Sequence, residues 1–189
     1  MGQTPRPILD ELGARGDLDW SRCAIDSVNM RALKKGGLTG PNPVDRGKYD
    51  SKIHLITERT GLPPSVGISG ANLHDSQALI LLVKGIQPIR SRRGRRRRRP
   101  SKLHGDKGYD YRHLRRWLRD RGITPRIARK GMDYKGAARP SPLNHRTHHA
   151  TAWLAGCRRL HRRYQRKASH FLAFTSIACT LICYRRLAG

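Results

Sequence analysis

Two aspartates, Asp26 and Asp106, stand where a carboxylate most needs a partner. Asp26 interrupts the apolar run Ala24-Ile25-Asp26-Ser27-Val28. Asp106 closes Leu103-His104-Gly105-Asp106 and is followed by Lys107-Gly108-Tyr109-Asp110. A carboxylate in apolar surroundings is costly unless something neutralises it. A divalent cation does so, and Mg²⁺ held by one or two carboxylates keeps positions open for water and phosphate oxygens. Two such ions about 4 Å apart activate a nucleophile and stabilise a leaving oxygen at phosphorus. The competing reading is structural, with Asp26 capping a turn and Asp106 serving as the N-cap of a following helix. Two aspartates this far apart in the chain do not by themselves choose between these readings.

The charge narrows the choice. Of 189 residues, 40 are Lys or Arg and 13 are Asp or Glu, a formal net charge of +27. An enzyme of small neutral substrates has no use for that excess, which costs self-repulsion unless a polyanion neutralises it. Nucleic acid is the leading partner, through phosphate contacts and counterion release, and an anionic membrane surface is a weaker one. The apolar run Phe171 to Tyr184 is short for a bilayer span and is broken by Thr and Ser. The first nineteen residues lack the apolar core of a signal peptide. The expected location is therefore cytoplasmic and nucleoid-associated, without a membrane. Paired acids on so basic a chain suit phosphodiester cleavage and strand transfer on DNA.

Residues 90–99 (RSRRGRRRRR) contain eight arginines. They read either as a solvated loop or as a phosphate-binding arm beside the strand that bears Asp106. In the second reading Arg92, Arg93, Arg95, Arg96, Arg97, Arg98 and Arg99 give affinity without sequence information. Lys107 is a candidate for orienting a scissile phosphate and equally a surface charge. Arg158, Arg159, Arg162 and Arg163 are expected on a helix that lines DNA. Asn72, His74 and Asp75 are expected to cap a helix, and Trp153 and Tyr164 to lie in the core. Cys23, Cys157, Cys179 and Cys183 contain no CxxC pair; reduced core thiols are expected, with Cys179 and Cys183 on one buried helical face.

The elements that must position these groups follow from periodicity. Residues 1–19 carry Pro5, Pro7 and scattered charges, and read as a poorly packed lead-in. Arg22–Met30, Ser51–Glu58 and Ser65–Ser69 read as the strands of a meander, with a Gly- and Pro-rich loop over 34–50. A helix is expected after Asp75, with Leu79, Leu82, Val83 and Ile86 inward. A strand over 103–106, a helix over Asp110–Arg121 ended by Gly122, and a strand over Ile123–Ala128 come next. Residues 132–150 have no clear pattern. Ala150–Tyr164 and Ala168–Leu187 read as two helices. A meander followed by alternating strands and helices gives an α/β sheet with helices packed on it. Side chains at the ends of its central strands meet in one crevice. A single domain over 20–189 is expected.

Five segments carry a resemblance. They are CAIDSVNMRA, LTGPNPVDRGKYDSKIHLITERTGLP, GISGANLHDSQAL, KLHGDKGYDYRHLRRWLRDRGITPRIARKG and RYQRKASHFLAFTSIACTLICYRRL. In this order they resemble the catalytic region of DDE-class transposases of bacterial insertion sequences. The resemblance implies a ribonuclease-H-like mixed sheet flanked by helices, and metal catalysis with Mg²⁺ or Mn²⁺. It implies double-stranded DNA, the element's ends and its target, as partner, with a homodimer as a candidate assembly. The family's first two metal ligands fall on Asp26 and Asp106. The chain departs from the family in two places. Before Trp153-Leu154, where the third acid is expected as a Glu, Leu143 to His149 contain none, and the only glutamates are Glu11 and Glu58. Two explanations arise: a shifted reading frame over about 132–150, or His148 or His149 as a substitute ligand that suits Mn²⁺. The second departure is a truncated N-terminus, with 25 residues before Asp26. The expectation is a catalytically impaired transposase. The alternatives are a non-catalytic DNA-binding remnant and an RNA-binding basic protein.

Overall fold

A computed structural model describes residues 5–131 and 156–189. The order of elements is helix α1 (Arg6–Arg15), strands β1 (Cys23–Ala32), β2 (Gly40–Pro41), β3 (Tyr49–Glu58) and β4 (Ser65–Gly70), and helix α2 (Ser76–Gly85). Strand β5 (Lys102–Gly105), a 3-10 turn (Lys107–Tyr109), helix α3 (Arg112–Arg119) and strand β6 (Thr124–Ile127) follow. After the segment outside the described residues come a second 3-10 turn (Arg158–Leu160), strand β7 (Arg162–Arg163) and helix α4 (Ala168–Ala188).

The sheet is mixed, with order β2-β3-β1-β5-β6. β1, β3 and β4 form the expected antiparallel meander, with Asp26 opposite Leu55 and Ser27 opposite His54. β5 adds to β1 in parallel, pairing Cys23 with Leu103 and Ala24 with His104, and β6 adds to β5 in parallel. Farther along, the same edge of β1 receives β7, at Arg31 and Ala32. β1 alternates between faces, as a strand must. Cys23 and Ile25 enter one core with α1, α2 and α3. Met30 enters the other, with Ile53, Leu55, Phe171, Ala178 and Cys179.

Three expectations about elements are corrected. The lead-in is not loose: residues 6–15 form α1, with Leu9 and Leu12 fully buried. Proline at the first helical turn, where its missing N–H costs nothing, starts this helix. Gly13 lets the helix approach Arg90, since a Cβ there would stand 2.0 Å from the Arg90 carbonyl oxygen. The domain boundary at residue 20 therefore falls inside one packed unit. The helix expected over Ala150–Tyr164 is, in its described part, a 3-10 turn followed by β7. The C-terminal helix runs 21 residues, long and apolar enough by length and composition to cross a membrane. One of its faces buries Phe171, Thr175, Ala178, Cys179 and Cys183 against the sheet.

The thiols of Cys23, Cys179 and Cys183 are buried and all four cysteines are free. Burial pushes the Cys183 thiol up to about 12. Cys179 and Cys183 share the inward face of α4, as their four-residue spacing predicts.

Arg163 explains why the chain needs β7. It is fully buried and donates to the carbonyls of Gly37 (2.6 Å), Leu38 (3.0 Å), Gln165 (2.9 Å) and Arg166 (3.2 Å), and to the Ser51 hydroxyl (2.5 Å). A buried guanidinium without a carboxylate is tolerated only when its donors are met. Burial holds its pKa below the usual arginine value. Arg163 thus pins the 33–39 loop to the start of α4 and does not line DNA.

Candidate carboxylate site at the fork of β1 and β5

The site begins with register. The last paired residues of β1 and β5 are Ala24 and His104. Two residues farther along stand Asp26, inside β1, and Asp106, the first residue past the end of β5. Paired strands lie about 4.8 Å apart. Gly105 makes the close approach practicable, because a Cβ there would meet Ile25 Cγ2 at 3.0 Å and the Tyr109 ring at 3.2 Å. β5 ends at Gly105, whereas β1 continues to Ala32.

Backbone amides orient both carboxylates. Asp26 Oδ1 accepts from the Ser27 amide at 2.8 Å. Asp106 Oδ1 accepts from the Gly108 amide at 3.0 Å, so Asp106 caps the 3-10 turn through one oxygen. Asp26 is half-buried and Asp106 exposed. The structural reading of Asp106 is therefore met in part, while Asp26 sits within a strand rather than in a turn.

Beneath the pair lies a buried polar group that sequence reasoning missed. Tyr109 is 2% exposed. Burial, then the charges of Asp75, Asp106 and Asp26, push its phenol well above the ordinary value, opposed by the neighbouring Ser27 hydroxyl. Both site aspartates thus act on one hydroxyl, which makes no well-formed hydrogen bond among the described residues. His54, across from Ser27 on β3, is also buried; its Nε2 lies 2.8 Å from Ser69 Oγ. Burial lowers its pKa to about 4, with Asp75 opposing and Lys52 reinforcing the shift. Asp75 pairs with Lys52 at 3.0 Å. The only sequence trace of this cluster was polar side chains at inward positions of otherwise apolar strands.

Other candidates fall elsewhere. Lys107 is exposed beside Asp106. Asp75 precedes α2 without a capping hydrogen bond, and His74 takes that place, its Nδ1 accepting from the Ser76 amide at 3.3 Å. Arg92, Arg93, Arg95, Arg96, Arg97, Arg98 and Arg99 are all exposed. They join β5 at its start, the end away from Asp106, so the arm does not flank the carboxylates. Arg158 and Arg159 are exposed on the second 3-10 turn, and Arg159 stacks over Tyr164 and Phe174 at 5.3 and 5.0 Å. Tyr164 is 46% exposed and not a core residue.

Both glutamates are committed to other tasks. Glu58 is buried and accepts from the amides of Asp19, Thr60 and Leu62 and from the Thr60 hydroxyl. Glu11 pairs with Arg15 on the outside of α1. Asp110 holds Arg115 at 2.7 Å and the Lys130 amide at 2.8 Å. Among the described residues, no cluster of three His, Cys, Asp or Glu side chains of metal-binding size is found. Trp153, Leu154, His148, His149, Asp133 and the irregular 132–150 segment lie outside the described residues.

The family described as "Transposase DDE domain" matches residues 20–152. Over 150 residues the chain is 41% identical to the putative transposase for insertion sequence element IS402 of Burkholderia cepacia, a match covering 79% of this chain and 70% of that protein. Among solved structures, the chain is similar to the piggyBac transposase in its synaptic complex with hairpin DNA. There the TM-score is 0.54 at 11% identity, over 86% of this chain and 46% of that one. The Mos1 mariner paired-end complex with Mn gives a TM-score of 0.48 at 11% identity, over 95% of this chain and 57% of that one. The chain thus spans about half the length of these solved chains. The first likeness shows the fold, a ribonuclease-H-like mixed sheet flanked by helices.

Proposed function

The chain belongs to the DDE transposase family of bacterial insertion sequences, and from that premise we propose that Asp26 and Asp106 are its first two metal ligands. The carrying observation is their place two residues past the last paired positions of adjacent parallel strands. Two carboxylates with one oxygen each fixed by a backbone amide form a hard-oxygen donor set that suits Mg²⁺ or Mn²⁺. A bound ion there would supply Lewis-acid activation of the nucleophile and charge stabilisation at phosphorus. The chain's own contribution is to bring the two carboxylates to neighbouring backbone segments and to fix one oxygen of each.

The partner in this reading is double-stranded DNA, the element's ends and its target, reached in the nucleoid. The reaction class is phosphodiester cleavage and strand transfer. The test is nicking of a duplex that carries element ends, with Mg²⁺ or Mn²⁺. Activity that disappears in Asp26→Ala and in Asp106→Ala, with DNA affinity retained, is the expected result. Nicking that persists in either variant rules out the assignment.

A second reading, a DNA-binding remnant without catalysis, draws on the commitment of Glu58 and Glu11 to structural contacts. It predicts no nicking by the chain as it stands. Restoring a Glu in the stretch before Trp153 would then recover nicking if the missing third acid is the whole defect.

A further inference from the structure

The two ends of β5 are chemically opposite. The carboxylates stand beyond its last residue, and the arginine-rich segment enters before its first. Five steps of extended chain from Ser101 to Asp106 separate them by roughly 17 Å. At the entry end the segment is folded in rather than loose. Ile89 and Arg97 exchange two backbone hydrogen bonds of 2.8 Å. Arg96 grips Asp10 on α1 at 2.7 and 2.8 Å. Arg99 donates to the Arg121 carbonyl at 3.1 Å.

These contacts frame an open cleft of about 940 Å³ between the ends of α2 and α3. Arg96 to Arg99, Lys84 and Arg121 line it, together with Trp117. The Arg121 guanidinium lies 3.9 Å from the centre of the Trp117 ring. Arg97 and Arg98 are exposed, and no carboxylate among the described residues lies within ion-pair distance of them. The cleft thus gathers several like charges, with few acids to offset them. A small anion is satisfied by two or three donors. A row of guanidinium groups on a rigid frame calls for an extended polyanion. The flat Trp117–Arg121 stack adds a surface on which a base can lie.

We propose that this cleft is a second DNA-binding site, a backbone clamp that grips a stretch of DNA away from the phosphodiester at Asp26 and Asp106. The proposal rests on the DNA-acting reading above but not on catalysis. The recognised chemistry is the phosphodiester backbone, in a duplex or in a single strand.

The test uses the full chain, a short duplex without element ends, and an oligothymidylate, titrated across a range of salt. In Arg97→Ala/Arg98→Ala the slope of log affinity against log salt falls by about two, since each lost duplex phosphate contact removes about 0.9. The lysine pair, Arg97→Lys/Arg98→Lys, keeps the slope and controls for folding. Of the three tryptophans, Trp117 is the one in the cleft, so Trp117→Phe lowers the DNA-dependent quenching of tryptophan fluorescence, and whichever nucleic acid quenches the Trp117 component identifies the form held. Nicking of an end-bearing duplex is read separately, so a failure of the cleavage reading shows there and not in the slope of the arginine variants. An unaltered slope in the alanine pair, or quenching that is undiminished in Trp117→Phe, overturns the clamp.

Discussion

At the scale of single residues, the candidate site is two aspartates, and the sheet that carries one of them also buries a group that stays neutral. His54 is held uncharged by burial, with its folded pKa near 4 against 6.5 for the free side chain. The sign follows directly. Between these values the unfolded chain takes up a proton that the fold refuses. Stability from this source is complete above about pH 6.5 and is lost as the pH falls towards 4. One pKa unit corresponds to about 1.4 kcal/mol, so the loss approaches 3 kcal/mol. Urea unfolding at pH 7 and pH 5 measures it: the parent chain loses more stability between the two than His54→Gln does. Equal losses in the two proteins mean that the ring is accessible to protons in the fold.

At the scale of elements, the strands and helices that carry the two aspartates were legible, because their side chains keep strict local periods. β1, β3, β4, α2, β5, α3 and β6 all lie where alternation or helical spacing puts them. α1 was not legible. Leu9 and Leu12 stand among prolines and charges, and what buries them is contact with residues distant in sequence, such as those around Arg90. Arg163 was misread for a related reason. Nothing local distinguishes it from Arg162, yet one side chain is exposed and the other is enclosed by carbonyls of a loop some 125 residues earlier. Of the candidate site, the aspartates were visible as acids among apolar residues. Tyr109 and His54 were not, since a polar residue in a strand does not announce which face it takes. Leu12→Ala tests α1: removing a fully buried leucine side chain costs about 2–5 kcal/mol, read as a lower urea midpoint. A negligible change would restore the loose lead-in.

At the scale of the whole molecule, the dominant fact is a charge of +27. The described acids are largely spent on pairs such as Arg96–Asp10, Arg115–Asp110 and Lys52–Asp75, which leaves most cations to repel one another. A soluble polyanion that binds only the folded chain stabilises it by about 2.7 kcal/mol at a hundredfold excess over its Kd. For a domain of this size that raises Tm by about 5–10 °C. Thermal unfolding with heparin, against a neutral polysaccharide, measures the shift. An unchanged Tm would mean that the fold does not gather its charge into a binding surface.

The parallel junction of β1 with β5 also sets a schedule for synthesis. Asp26 is made before its counterpart, which arrives only after the whole meander and α2 have been translated. Joining the two strands closes a loop of some eighty residues, an entropic cost that no local contact offsets. A nascent or prematurely ended chain that stops short of Gly105 lacks the second of the two carboxylates. The pairing of the two carboxylates is therefore withheld from incomplete products by connectivity alone.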